Sequence, residues 1–338
     1  MVNGQRKALA WGFALAVLLA LSVTITVTIG PAGLNALDVW RSIVDHLGMG
    51  SSDLTRIEDG IVWQLRLPRV LTAAAVGAGL ALSGAIMQAL TRNPLANPYL
   101  LGLSSGASFG AVLVLILGMD VLLPLAAFVG AMAALIATML LARSLGIITP
   151  TRTILAGLAV SSLAGALTSL VIFWSATGDS YREILSWLLG SLAGANWAAV
   201  AISGGTIIAI GVPIIIGGRV LDAFAFGDTS AAALGINVSA TRWLLLGGAA
   251  LLTGAMVSVS GAIGFVGLVL PNAMRLLVGV QHRALLPLSA LVGAVFMVWV
   301  DTAARTLFSP RELPVGIITV LVGAPIFALL LWRNRSAA

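Results

Sequence analysis

The stretch that decides the fold is Ser83-Gly-Ala-Ile-Met-Gln-Ala-Leu-Thr-Arg-Asn-Pro-Leu-Ala-Asn-Pro98. An uncharged apolar run from Val70 leads into it, and another from Tyr99 leads away from it. Each run has the roughly 20 residues that a helix needs to cross about 30 Å of hydrocarbon. Between them, the two prolines and two asparagines of residues 91–98 stop one helix and restart another, with Arg92 at the turn. Two membrane spans joined by a tight polar break are the unit of a polytopic membrane protein. Working outward in both directions gives ten spans, near 8–29, 70–90, 98–117, 122–141, 153–174, 195–216, 243–261, 263–280, 285–304 and 315–332. The expected fold is therefore all-α, a single transmembrane domain over 1–338 with short broken helices. The first run follows Arg6 and Lys7, is long for a signal sequence and lacks a small-x-small cleavage site, so it reads as a retained helix.

Composition agrees. Of 338 residues, 59% are hydrophobic and 9% charged, where a soluble domain carries roughly 25% charge. With the N-terminus inside, the inner segments hold 11 basic residues against Asp222 and Asp228 alone, whereas the outer segments hold 7 against 10 acids. The excess of inner arginine places both termini on the cytoplasmic side of the inner membrane. The basic residues are scattered singly, without the patch or stripe of a nucleic-acid binder. Cysteine is absent, which removes thiolate catalysis and thiolate metal sites, and His46 and His282 lie far apart in the chain. The one lysine, Lys7, follows no glycine-rich turn, so no P-loop is present. No catalytic, metal-ligating or cofactor residues are expected, and any ATP that drives the protein must be used by a partner subunit.

Three regions stand out. Span eight, with Pro271, Asn272 and Arg275, and the break with Asn93, Pro94, Asn97 and Pro98 interrupt helices at membrane depth. Irregular backbone survives there only inside protein or beside water, so these residues are candidates to line a translocation path. A helix hairpin with Arg92 among lipid headgroups is the alternative. On the outer side, Arg66, Arg69, Arg305 and Arg311 form a ring suited to carboxylates of an acidic partner, or to headgroups. Asp301 lies near the outer end of span nine, where Arg305 one turn later can pair with it. No acid falls at mid-span, which removes the simplest site for proton or sodium coupling. On the inner side, residues 218–242 divide at Gly227, with Asp228 as N-cap of a helix over 229–234 and Gly235 as its stop. A cytoplasmic helix pair there serves as a docking knob or as an interfacial hairpin.

Together these motifs resemble the permease subunit of type II ABC importers, the family that takes up iron–siderophore complexes, haem and vitamin B12. The resemblance rests on Trp63-Gln-Leu-Arg-Leu-Pro-Arg69, on Ser83–Pro98 with Leu101-Gly-Leu-Ser-Ser-Gly-Ala107, and on Gly227-Asp228 through Leu234-Gly235. It rests further on Gly261-Ala-Ile-Gly-Phe-Val-Gly-Leu-Val-Leu-Pro271 with Arg275, on His282-Arg283 and on Glu312-Leu-Pro-Val-Gly316. The resemblance implies a homodimer, or a heterodimer with a paralogous permease, carrying two cytoplasmic ATP-binding cassette subunits and an extracytoplasmic binding protein. It implies that Arg66, Arg69 and Arg305 face acids of that binding protein. It also implies that residues 222–238 (Asp222, Gly227, Asp228, Ala231, Leu234, Gly235) form coupling helices seated on the ATPase. Thr229 departs from the glutamate often found there. Alternating access moving a ferric siderophore is the expected function, with haem and cobalamin as further cargoes. An ion-coupled transporter acting alone, or a membrane scaffold, is the rival of another class.

Overall fold

The computed structural model describes residues 2–30, 32–144, 146, 149–175 and 178–335 and is all-helical over that range. Seven helices are long and apolar enough to cross a membrane, and three shorter apolar ones, Leu103–Ile116, Val266–Val278 and Val315–Leu330, complete the ten expected spans.

Leu67–Thr91 is the central helix, packing against His282–Thr306, Val238–Ser260 and Val266–Val278. In its most apolar window 78% of residues are buried, against 11% for the first helix, which therefore sits at the periphery. Among lipids, apolar burial alone does not hold helices together, and close backbone approach does. At Gly84 an added Cβ would overlap the Gly267 carbonyl, and at Gly77 that of Gly293, so these glycines set the spacing of the central helix to two neighbours.

The central helix ends at Arg92, in the left-handed region at φ 50°. Asn93 and Asn97 then accept the backbone N–H groups of Leu95 and Tyr99, and a 3-10 turn over Pro98–Leu101 leads to the Leu103–Ile116 helix. The expected break is present. Span eight, expected to be broken or short, is short. Residues 261–265 are non-helical, and Val266–Val278 runs through Pro271 without interruption. Proline has no N–H to offer the carbonyl four residues back. Here that carbonyl, Gly267, accepts from Gln88 Nε2 at 3.2 Å instead, so the central helix supplies the missing donor.

Five α-helical segments among the described residues lie outside the ten spans. Ala36–His46 and Arg56–Gly60 stand on the outer side, and a π-helical turn over Ile61–Arg66 makes the latter continuous with the central helix, just ahead of Pro68. Gly178–Leu188 is also outer, and the coupling segment supplies the inner pair.

Candidate functional site

At the outer end, the three arginines expected to face a partner point inward. Arg69 donates from Nε to both oxygens of Asp301, at 3.0 and 3.1 Å, and from Nη1 to Glu312 at 2.9 Å. Arg66 donates to the carbonyls of Thr28 and Ala32. Arg305 donates to the Thr26 carbonyl at 2.7 Å. Arg66 and Arg305 are each 4% exposed, and Asp301 is 1% exposed. The acceptors come from distant parts of the chain: Asp301 for Arg69, and for Arg305 the end of the first helix at Thr26, where terminal carbonyls lack intrahelical N–H partners. Arg66, Arg69 and Arg305 of the expected ring thus have partners within the chain. The expected Asp301–Arg305 ion pair is present, as the longer of two contacts to that carboxylate. Arg305 Nε lies 3.8 Å from Asp301, which is held chiefly by Arg69 from a distant part of the chain. Sequence spacing shows the neighbour one turn away and hides the partner 232 positions away.

Beside this cluster, His46 stacks on Trp63 at 4.1 Å and Trp197 donates its indole N–H to the Trp63 carbonyl, pinning the outer helices to the ninth helical segment, Trp197–Thr206. A cavity of about 600 Å³ opens nearby, lined in part by Leu123, Glu183, Trp187, Asn196 and Ser258. Among the described residues, Glu183 is its one charged lining residue. Neither feature was foreseen. The tryptophans were visible in the sequence, yet nothing in their spacing brings 63 and 197 together.

At the inner end, residues 218–233 form the expected helix pair, Gly218–Ala225 and Asp228–Ala233. The first inserts Leu221 and Phe224 into the core, and the second buries Ala231. Gly227, at φ 101°, makes the bend, and Gly235, at φ 80°, ends the second helix. Asp228 does not cap this helix as expected. It is the first helical residue, and its carboxylate pairs with Arg242 at 2.7 Å. Asp222 accepts from both the backbone N–H and Nδ1 of His282, at 2.7 and 2.8 Å, placing a carboxylate at the N-terminus of the His282–Thr306 helix. The pair is thus rooted on two long helices, while Phe226 and Leu234 stand 80% and 71% exposed.

The residues expected to line a path gather at the same end. Asn272 donates to the Pro94 carbonyl at 2.8 Å, and Arg275 donates to Gln88 and Asn272. Pro94, Asn272 and Arg275 border a cavity of about 170 Å³, and Asn93, Pro94 and Arg275 border another of about 230 Å³. Asn97 and Pro98 lie in the turn behind, and Pro271 is buried in its helix.

A multi-pass helical domain with an exposed apolar plate rooted on its cytoplasmic side is the architecture of a membrane permease worked by a partner. The family comparison makes this specific: the chain belongs to the FecCD transport family, whose model matches residues 18–333. It is 41% identical to the uncharacterised ABC transporter permease protein YvrB of Bacillus subtilis (strain 168), over 98% of this chain and 95% of that one. It is 37% identical to the cobalamin import system permease protein BtuC of Halobacterium salinarum, over 99% of both. Among solved structures, one described as a metal-chelate type ABC transporter in an inward-facing conformation superposes with a TM-score of 0.82 at 34% identity, covering 95% of this chain and 98% of that one. The chain is a multi-pass inner-membrane permease of the ABC importer class, with the ATPase in a partner subunit.

Proposed function

We propose that the protein moves a metal chelate, a ferric siderophore in the first instance, across the inner membrane by alternating access. Two ATP-binding cassette subunits would drive it and an extracytoplasmic binding protein would load it, around a pair of permease copies. The observation that carries this reading is the cytoplasmic plate. Exposed apolar side chains such as Phe226 and Leu234 are the kind that seat in a partner's groove. Below them, the Asp222–His282 pair couples the plate to a 25-residue helix. At 1.5 Å per residue that helix reaches about 37 Å, and its far end carries Asp301 and Arg305. A push on the plate is therefore delivered to the outer charge cluster by one rigid element.

In the same reading Asp222, Gly227, Asp228, Ala231, Leu234 and Gly235 form the ATPase contact. Arg66, Arg69 and Arg305 meet the binding protein's acids after exchanging their internal partners. The break at Asn93–Pro98 and the helical stretch Pro271–Arg275 border the inner end of the path. The outer cavity favours a bulky cargo over a small oxyanion, since no basic residue lines it among the described residues. Haem and cobalamin are the next cargoes in order.

The test is uptake of radiolabelled ferric chelate, haem, cobalamin and molybdate in a strain deleted for this chain and complemented with it. Restored ferric-chelate uptake supports the assignment; restored molybdate uptake alone removes it.

A further inference from the structure

The two inner cavities share a wall and differ in chemistry. The larger is lined by Gln88, Arg92, Asn93, Arg275 and His282, with no acidic residue among the described ones. The smaller adjoins it at Pro94 and Arg275 and is walled by Leu95, Leu276, Phe327 and Leu330. A cationic chamber thus opens beside an apolar one.

The inside excess of arginine explains cations in loops, but three details of this chamber go beyond it. Arg275 lies within the Val266–Val278 helix, held in place by Gln88 and Asn272 rather than neutralised by a carboxylate. Arg92 makes no ion pair among the described residues, its left-handed backbone carrying it out of the central helix beside the chamber. His282 is 4% exposed, and its Nε2 is buried with no hydrogen-bond partner. Asp222 is an acceptor, so it fixes the proton on Nδ1. Nε2 is then the ring nitrogen left without a partner. A buried polar atom without a partner is costly unless something meets it.

We infer that this pair of cavities is a binding site for an amphiphilic anion, with a phosphate or carboxylate group among Arg92, Arg275 and His282 and an apolar body against Leu276, Phe327 and Leu330. Two sources carry that chemistry: an anionic phospholipid of the cytoplasmic leaflet, and a negatively charged chelate leaving the path. The site shares Asn93, Pro94 and Arg275 with the inner end of the path proposed above, so its chelate arm rests on that reading and its lipid arm does not.

The experiment is native mass spectrometry of the full chain in neutral detergent, offered dioleoyl phosphatidylglycerol or dioleoyl phosphatidylcholine. Wild type is expected to retain the anionic lipid about 25-fold better, since each of the two arginines is worth roughly a fivefold gain. Arg92→Ser with Arg275→Gln is expected to abolish the preference, and Arg143→Ser, an exposed cytoplasmic arginine elsewhere, to preserve it. Leu330→Trp narrows the apolar cavity without touching charge and is expected to lower retention as well, which separates loss of the site from loss of fold. The second arm adds a trianionic ferric tris-catecholate and a neutral ferric tris-hydroxamate. Displacement by the catecholate alone assigns the chelate as a ligand; no displacement assigns the lipid. Equal retention of both lipids with no catecholate binding overturns the proposal. So does equal loss of preference in Arg143→Ser, or unchanged retention in Leu330→Trp.

Discussion

The two ends of the molecule handle charge in opposite ways. At the outer end, Arg66, Arg69, Arg305 and Asp301 are drawn into the protein and satisfied by one another, by Glu312 and by the carbonyls that end the first helix. At the inner end, ion pairs root the plate while Phe226 and Leu234 project from it. One end is latched and the other is offered. A transporter driven from the cytoplasm needs that asymmetry, because force enters at an exposed contact and must release something closed at the far side.

The largest expected effect comes from breaking the latch. Asp301→Ala leaves Arg69 and Arg305 without their buried counter-charge, and removing one partner of a buried pair costs roughly 3–5 kcal/mol. Thermal unfolding in detergent should show a large drop in midpoint. A midpoint equal to wild type would mean that the outer cluster is not closed as described.

Next comes the plate. Phe226→Asp with Leu234→Asp changes two exposed side chains, so the fold should be kept. ATPase stimulation in the assembled complex should fall more than tenfold, an effect of about 1.4 kcal/mol or greater. Undiminished stimulation would remove the plate from the coupling contact.

The smallest effect sharpens the comparison. Glu312 is the exposed member of the outer cluster, its side chain 40% accessible. Glu312→Gln should cost no more than about 1 kcal/mol of stability, as for other exposed pairs. It also frees one edge of Arg69. If that arginine docks the binding protein, affinity at low salt should rise a few-fold and the gain should fade as salt screens it. A lowered affinity would argue that Glu312, rather than Arg69, serves the partner.

The same asymmetry governs what could be read from sequence. All ten spans were legible because an apolar run of membrane length has few other uses, and the plate was legible because Gly227 and Gly235 punctuate it. The outer helices Ala36–His46 and Gly178–Leu188 were not, since short amphipathic segments mix polar and apolar residues as loops do. Asp228 looked like a cap until Arg242 was seen to claim its carboxylate. The outer arginines were legible as a group, but their direction was not. A guanidinium turns inward or outward according to acceptors supplied by distant residues, here Asp301 and the end of the first helix.

The central claim is that transport is powered through the cytoplasmic plate rather than by an ion gradient acting on this chain. The direct measurement is accumulation of a labelled ferric chelate in proteoliposomes, comparing the chain alone under an imposed proton or sodium gradient with the full complex given ATP and ionophore. The account predicts accumulation only in the second case. Accumulation by the chain alone, driven by the gradient, would contradict it.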